Sequence, residues 1–393
     1  MADKADLITR AVRAGLETDE VTGAVVPPLH LSSTYAFRGY GEKRGYDYSR
    51  SGNPTRDLLG AALADLEGGA GAVITGSGMG AVTLCLQVLP ARARLVAPHD
   101  CYGGTYRLFH ALNRRGDLQV EFVDFGDPAA LAGALSRPAA LVWIETPSNP
   151  LLRLTDIAAV AALGKAAGAL VIVDNTFLSP GWQRPLSLGA DVVVHSTTKY
   201  INGHSDVVGG AVIAVRPELQ AELAWWANCL GLTGSAFDSF LTLRGLRTLH
   251  ARLAVHGRNA TELAGWLVDQ PGVRRVWYPG LASHPGHEIA LRQQSGFGAI
   301  VTFELAGGIP AVKAFVSGLR YFSLAESLGG VESLIAHPAS MTHAAMEEPA
   351  RRAAGLTDGL LRLSIGIEAL EDLRADLAAG LARCARLASH AGA

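Results

Sequence analysis

The stretch ALVIVDNTFLSPGWQRPLSLGADVVVHSTTKYINGHSDVVGG, residues 169–210, contains two short apolar runs, each closed by polar residues. ALVIV (169–173) ends on Asp174, and DVVVH (191–195) runs into Ser196, Thr197, Thr198 and Lys199. Near-continuous apolar runs of this kind belong to strands covered on both faces. Upstream the same theme recurs in AVIT (72–75), RLVAP (94–98), VEFVDF (120–125) and ALVWIE (140–145), with helix-length segments between them. The expectation is a large α/β domain, 61–257, built on a mostly parallel sheet. Residues 1–60 lack periodicity and carry turn formers, Pro27, Pro28 and Ser51-Gly52-Asn53-Pro54, which predicts an arm that packs on something else. Beyond residue 258, longer helical patterns with the strands AIVTFEL (299–305) and LLRLSIG (360–366) predict a smaller C-terminal α+β domain, 258–393.

Composition narrows the function. The chain has 393 residues, 49% hydrophobic and 18% charged, with a formal net charge of -2. That length exceeds one small core. Its Lys and Arg are scattered and form no basic stripe, so nucleic acid is not an expected partner. Cys85, Cys101, Cys229 and Cys384 stand far apart with no C-x-x-C pair, and the histidines, His195 and His204 among them, lack ligand spacing. No metal site is expected, and the cysteines read as thiols of a reducing cytoplasm. MADKADLITRAVRAGL is broken by charges, and no apolar run approaches the length of a membrane span.

Ligands of open α/β sheets collect at the carboxyl ends of the strands. Asp174, Ser196, Thr198 and Lys199 all fall at such ends. Singly, each has an ordinary reading: a turn aspartate, two surface hydroxyls, a solvated lysine. Together they match the needs of pyridoxal 5′-phosphate (PLP). An amine forms a Schiff base with its aldehyde, an acid keeps its pyridine nitrogen protonated, and hydroxyls hold its phosphate. Lysine suits the first task because its pKa falls readily when desolvated. Gly76-Ser77-Gly78-Met79-Gly80 lies between a strand and a helical run, the place of a phosphate cup. The same residues admit a rival. Gly76, Gly78 and Ala81 fit a G-x-G-x-x-A dinucleotide fingerprint with Asp100 as the ribose acid, which would make the chain an NAD-dependent oxidoreductase. Tyr102 follows the RLVAP strand, placed to stack on a flat ring or to serve as a structural tyrosine. Arg362 alternates with Leu361 and Leu363, suited to grip an α-carboxylate or to lie solvated on a strand.

YDYSRSGNPTRDLL, GSGMGAV, HDCYGGTYRLF, ETPSNPLL, VDNTFLSP, HSTTKYINGHSDVVGG and AESLGGVESL together resemble the Cys/Met-metabolism PLP enzymes over nearly the whole chain. The resemblance implies an aspartate-aminotransferase-like fold (fold type I). It implies Lys199 as the Schiff-base lysine, Asp174 at the pyridine nitrogen, Tyr102 stacked on the ring and acting as a base, and Gly78, Met79, Ser196 and Thr198 on the phosphate. Asn149, Ser327 and Arg362 would position the substrate, with Arg107, Arg44 or Arg50 on its distal carboxylate. Tyr48 and Arg50 would reach the phosphate of a neighbouring subunit in a homotetramer built from dimers.

Within the family, Gly104, Glu326 and ELAWWANCLGLTGSAFDSFLTLRGLRTL resemble the members that perform γ-replacement. The activity so implied is that of a transferase forming a carbon–sulfur bond. It joins O-succinyl-L-homoserine and L-cysteine into L-cystathionine and succinate, a cytoplasmic step toward methionine. The γ-elimination of cystathionine by the same family is the alternative, since those members share Glu326.

Overall fold

The computed structural model describes residues 5–342 and 354–391. Twelve strands among them form two sheets. The first contains β1 (Gly71–Thr75), β2 (Ala93–Pro98), β3 (Leu118–Val123), β4 (Leu141–Glu145), β5 (Leu170–Asp174), β6 (Val192–Ser196) and β7 (Gly210–Ala214), in the order β1-β7-β6-β5-β4-β2-β3. The pairs from β6 to β3 are parallel, whereas β7 runs antiparallel to both β6 and β1. Gly71 is in register with Ala214 and Thr75 with Gly210.

The apolar runs are explained by the two layers that cover this sheet. Val171, Val173 and Val193 enter one core with helix Pro54–Glu67, while Ile172, Val192 and Val194 enter the other with helix Gly78–Cys85. Alternate side chains therefore meet opposite cores, and both sets are apolar. All six runs expected in this region are strands, with ends shifted by one or two residues. The sequence reading missed β7. Residues 197–209, which join Ser196 to Gly210, form no helix, and β7 returns antiparallel beside β6.

The second sheet comprises β8 (Val273–Trp277), β9 (Ile300–Leu305), β10 (Ser323–Leu324), β11 (Leu334–Ala336) and β12 (Leu360–Ser364), in the order β10-β11-β12-β9-β8. Helix Leu249–Val268 ties the two sheets together. From it, Arg252 donates to the carbonyls of Tyr200 (2.7 Å) and Gly245 (2.8 Å), while His256 Nδ1 lies 2.6 Å from the Ile365 carbonyl. The loop that follows Lys199 is thereby fastened to the C-terminal sheet.

Before the first sheet, residues 5–53 hold one short helix, Leu7–Val12, and isolated bridges such as Thr34 with Tyr48. The arm stops at Asn53, whose side chain caps helix Pro54–Glu67 by accepting from the Thr55 and Arg56 amides, with Pro54 as the first helical residue.

Candidate active site

A cavity of about 590 Å³ opens where the parallel strands end. From β4 come Glu145 and, just beyond, Asn149; from β5, Asp174; from β6, Val194 and Ser196, followed by Thr198 and Lys199. Gly78 and Met79 line it from the helix start, Tyr102 and Arg107 from helix Gly103–Arg115 and its cap, and Glu326, Ser327 and Arg362 from the second sheet. Twelve of the residues singled out from sequence are thus brought together. Tyr48 and Arg50 are not: Arg50 Nε donates to Asn228 Oδ1 at 3.0 Å, beside a separate hollow behind β1. Arg44 also stays on the arm, with Nε on the Ala36 carbonyl (2.9 Å).

Lys199 Nζ donates to Ser327 Oγ at 2.7 Å. Burial, reinforced by the Arg362 cation and opposed by Glu326, pulls its amine down to about 8. Ser327 holds a left-handed backbone (φ +87°), a conformation a non-glycine residue adopts at a cost. Its carbonyl accepts from Arg362 Nη2 (2.8 Å), while Nη1 reaches Asn149 Oδ1 (2.9 Å). Arg362 Nε is buried with no partner, a donor left for an incoming acceptor.

On the opposite wall, Asp174 accepts from the Thr176 amide at 3.0 Å, and burial raises its carboxyl. Glu145 is its register neighbour on β4. Burial, then the Asp174 charge, pushes Glu145 well above the usual carboxylate range. Two carboxyls set side by side in a buried wall each raise the cost of ionising the other.

The phosphate end follows from glycine. Helix Gly78–Cys85 is capped by Ser77 Oγ, which accepts from the Gly80 amide (3.0 Å), and its first-turn N–H groups have no partner within the helix. A Cβ on Gly78 would stand 2.8 Å from the Ser196 Cβ, so the cup closes on Ser196 only because that residue is glycine. Thr198 Oγ1 accepts from the Gly209 amide at 3.0 Å and borders the same end. A Cβ on Gly104 would stand 2.6 Å from Tyr102 Cε1 and 2.9 Å from Met79 Sδ; glycine there lets the phenol settle.

The dinucleotide reading is overturned by strand order. In that motif the ribose acid ends the strand beside the glycine loop's own strand, but β7, β6, β5 and β4 separate β1 from β2. Asp100 is also engaged, accepting from Ser148 Oγ (2.7 Å) and Arg153 Nη1 (2.9 Å).

Sequence reasoning passed over Glu145 and Thr176, although Glu145 closes an apolar run just as Asp174 does. His195, which lacks ligand spacing in the sequence, is fully buried behind the site with Nε2 2.6 Å from Glu67 Oε1. Asn175 Nδ2 donates to the same Glu67 oxygen at 3.0 Å.

Amine, ring acid and glycine cup at the strand ends of one open sheet define a PLP enzyme of fold type I. The residues fit that cofactor: a desolvated lysine for its aldehyde, a buried acid for its ring nitrogen, a side-chain-free cup for its phosphate. The family model for Cys/Met metabolism PLP-dependent enzymes matches residues 8–382, and the chain belongs to that family. Its cofactor is PLP. Among relatives, cystathionine gamma-synthase of Escherichia coli K12 is 58% identical, the match covering 95% of this chain and 97% of that one. Cystathionine beta-lyase of Coxiella burnetii is 46% identical over 96% and 98%. Among solved structures, cystathionine gamma synthase of Xanthomonas oryzae pv. oryzae, in complex with aminoacrylate and cysteine, superposes with a TM-score of 0.97 at 62% identity, covering 98% of this chain and 100% of that one.

Proposed function

We propose that the chain performs γ-replacement, joining O-succinyl-L-homoserine and L-cysteine into L-cystathionine with release of succinate, a step of methionine biosynthesis. The observation that carries this reading is the near-full-length identity, 58% and 62%, to two cystathionine γ-synthases, against 46% to the β-lyase and 40% to a γ-lyase of Lactobacillus plantarum.

Bound in the cleft, PLP supplies an electrophilic carbon for the substrate amine and an aromatic sink for electrons released from broken C–H bonds. Asp174 would hold the proton of its ring nitrogen, Tyr102 would stack on it, Gly78, Met79, Ser196 and Thr198 would take its phosphate, and Lys199 would anchor it. The Lys199 amine is also the group placed to move protons at Cα and Cβ of the substrate. An amine near 8 is well matched to that work, and Ser327 Oγ keeps Nζ over the cleft. Arg362, braced by Asn149 and the Ser327 carbonyl, offers its free Nε–H to the substrate α-carboxylate. Arg107 is the cleft cation placed for the distal carboxylate, and Glu326 sits against the charges of Lys199 and Arg362. Tyr102 also serves as a base toward the incoming amine or thiol.

The same reading assigns Tyr48 and Arg50 to the phosphate cup of a neighbouring copy, in a homotetramer of dimers working in the cytoplasm. Their place outside their own cleft supports it. No helix among the described residues is long and apolar enough to cross a membrane. The division into arm, large domain and C-terminal domain near residues 60 and 257 belongs to this proposal; the first sheet ends at Ala214 and the second begins at Val273.

The test supplies both substrates together. Cystathionine should form in large excess over 2-oxobutyrate, and release of 2-oxobutyrate from cystathionine faster than cystathionine synthesis would assign the chain to the γ-lyases instead.

A further inference from the structure

Glu145 is an expensive residue where it stands. It is 5% exposed, and the Asp174 carboxyl is its register neighbour. Its contacts explain what the carboxyl does. Glu145 Oε2 accepts from the Tyr102 amide at 2.7 Å, and the Asn149 main chain faces the same carboxyl and favours its ionised form. Tyr102 is the cap residue of helix Gly103–Arg115 and makes no side-chain capping bond of its own. Asn149 in turn carries Arg362 Nη1 on its Oδ1. One carboxyl thus adds, beside the Ser148–Asp100 bond, a tie between the loop after β2 that carries the phenol and the loop after β4 that braces the arginine.

We propose that Glu145 is a positioning residue, a latch that holds the Tyr102 and Asn149 main chains together and so sets the ring platform and the carboxylate clamp in one register. The inference rests on the reading of this cleft as the PLP site with Tyr102 over the ring. It assigns Glu145 no contact with substrate or cofactor. It acts through the two amides, so what matters is an acceptor oxygen at this point. Local clamps of this kind matter because displacements of about 1 Å at a site lower rates by orders of magnitude.

Two near-isosteric substitutions isolate the oxygen. Glu145→Gln keeps an acceptor, and Glu145→Met keeps the bulk without one. In the cofactor-free protein, hydrogen exchange measured on short peptides spanning residues 101–104 and 147–151 should stay slow in wild type and Glu145→Gln and become fast at Tyr102 and Asn149 in Glu145→Met. With PLP added, Glu145→Met should bind it about tenfold more weakly, the loss expected for a freed buried donor. Its visible circular dichroism, which reports the setting of the ring, should also change, while Glu145→Gln keeps the wild-type spectrum. Tyr102→Ala should abolish the difference in PLP affinity between the two Glu145 variants. The latch is overturned if both amides remain protected in Glu145→Met, or if Glu145→Gln is as disturbed as Glu145→Met. Released amides with unaltered PLP affinity and spectrum would uphold the latch and count against the cofactor lying beneath Tyr102, which separates the two failures.

Discussion

The cleft at the ends of β4, β5 and β6 and the arm of residues 5–53 are opposite in construction. In the cleft, Lys199, Ser327, Arg362 and Asn149 are bonded one to the next, and each partner is supplied by the same chain. On the arm, Val21 is 93% exposed and Tyr40 fully so, and the ring of Tyr48 stands half in solvent under the Arg50 guanidinium at 5.4 Å. Apolar and aromatic side chains placed this way gain little from their own chain. The difference teaches that the cleft's amine and acid find their partners within one chain, whereas Tyr48 and Arg50 stand outside that cleft, where the proposed reading gives them to a neighbouring copy.

The sharpest way to break this contrast is at Lys199. Lys199→Ala should fold and lose at least about a thousandfold in turnover, together with the visible band that borohydride reduces in wild type. Reducible absorbance surviving on another lysine would remove the cleft from the comparison. Asp174→Asn, next in size, should slow exchange of the substrate α-proton with deuterated water by about a hundredfold, because the ring nitrogen loses its anionic partner. Exchange at the wild-type rate would strip Asp174 of its role.

The arm is tested by mixing. Arg50→Ala should weaken PLP binding about tenfold, the scale of one lost charge-assisted contact. Lys199→Ala and Arg50→Ala chains, each impaired alone, should regain activity when dissociated and reassembled together, since a mixed pair contains one site with both residues. With subunit exchange verified by tagged chains, absence of any gain would mean that Arg50 serves its own chain.

The smallest effect is a shift in pH. The rate at which the cofactor-free chain captures PLP should rise with pH through about 8, the region of the Lys199 amine, rather than near the ordinary lysine value. Burial and the Arg362 cation both disfavour the ammonium, so Arg362→Leu should move the inflection upward by about one unit. Linkage has a consistent sign. The folded-state value lies below the unfolded one, so the penalty of burying Lys199 is full below about pH 8 and fades as pH rises toward the unfolded value. An inflection that ignores Arg362 would separate the two groups.

What could be read from the bare chain divides along the same line. Asp174, Ser196, Thr198 and Lys199 were legible because a buried strand has no reason to end in polar residues unless the sheet edge uses them. Glu145 obeyed that rule and was still missed. Its significance lies in a bond to Tyr102, in the loop after β2, a strand that neighbours β4 in the sheet but not in the chain, and no local pattern records it. β7 was hidden because its apolar run follows β6 without the helix that marked every other strand in the region. Whose cleft the arm serves was not legible at all from residue types, since Tyr48 and Arg50 look the same whether they turn inward or across to another copy.

The placement of β7 has a consequence for the order in which the protein comes to life. The phosphate cup sits at the end of β1, and β1 is joined to its sheet solely through β7. Gly210, the first residue of β7, also lies directly against the Ser77 carbonyl. A growing chain on the ribosome therefore completes Lys199 and Asp174 before the strand that pairs with β1 has emerged, and contacts so distant in sequence form late. Until Gly210–Ala214 has emerged and inserted, the nascent chain has Lys199 in place while β1, and the glycine turn at its end, still lacks its strand partner.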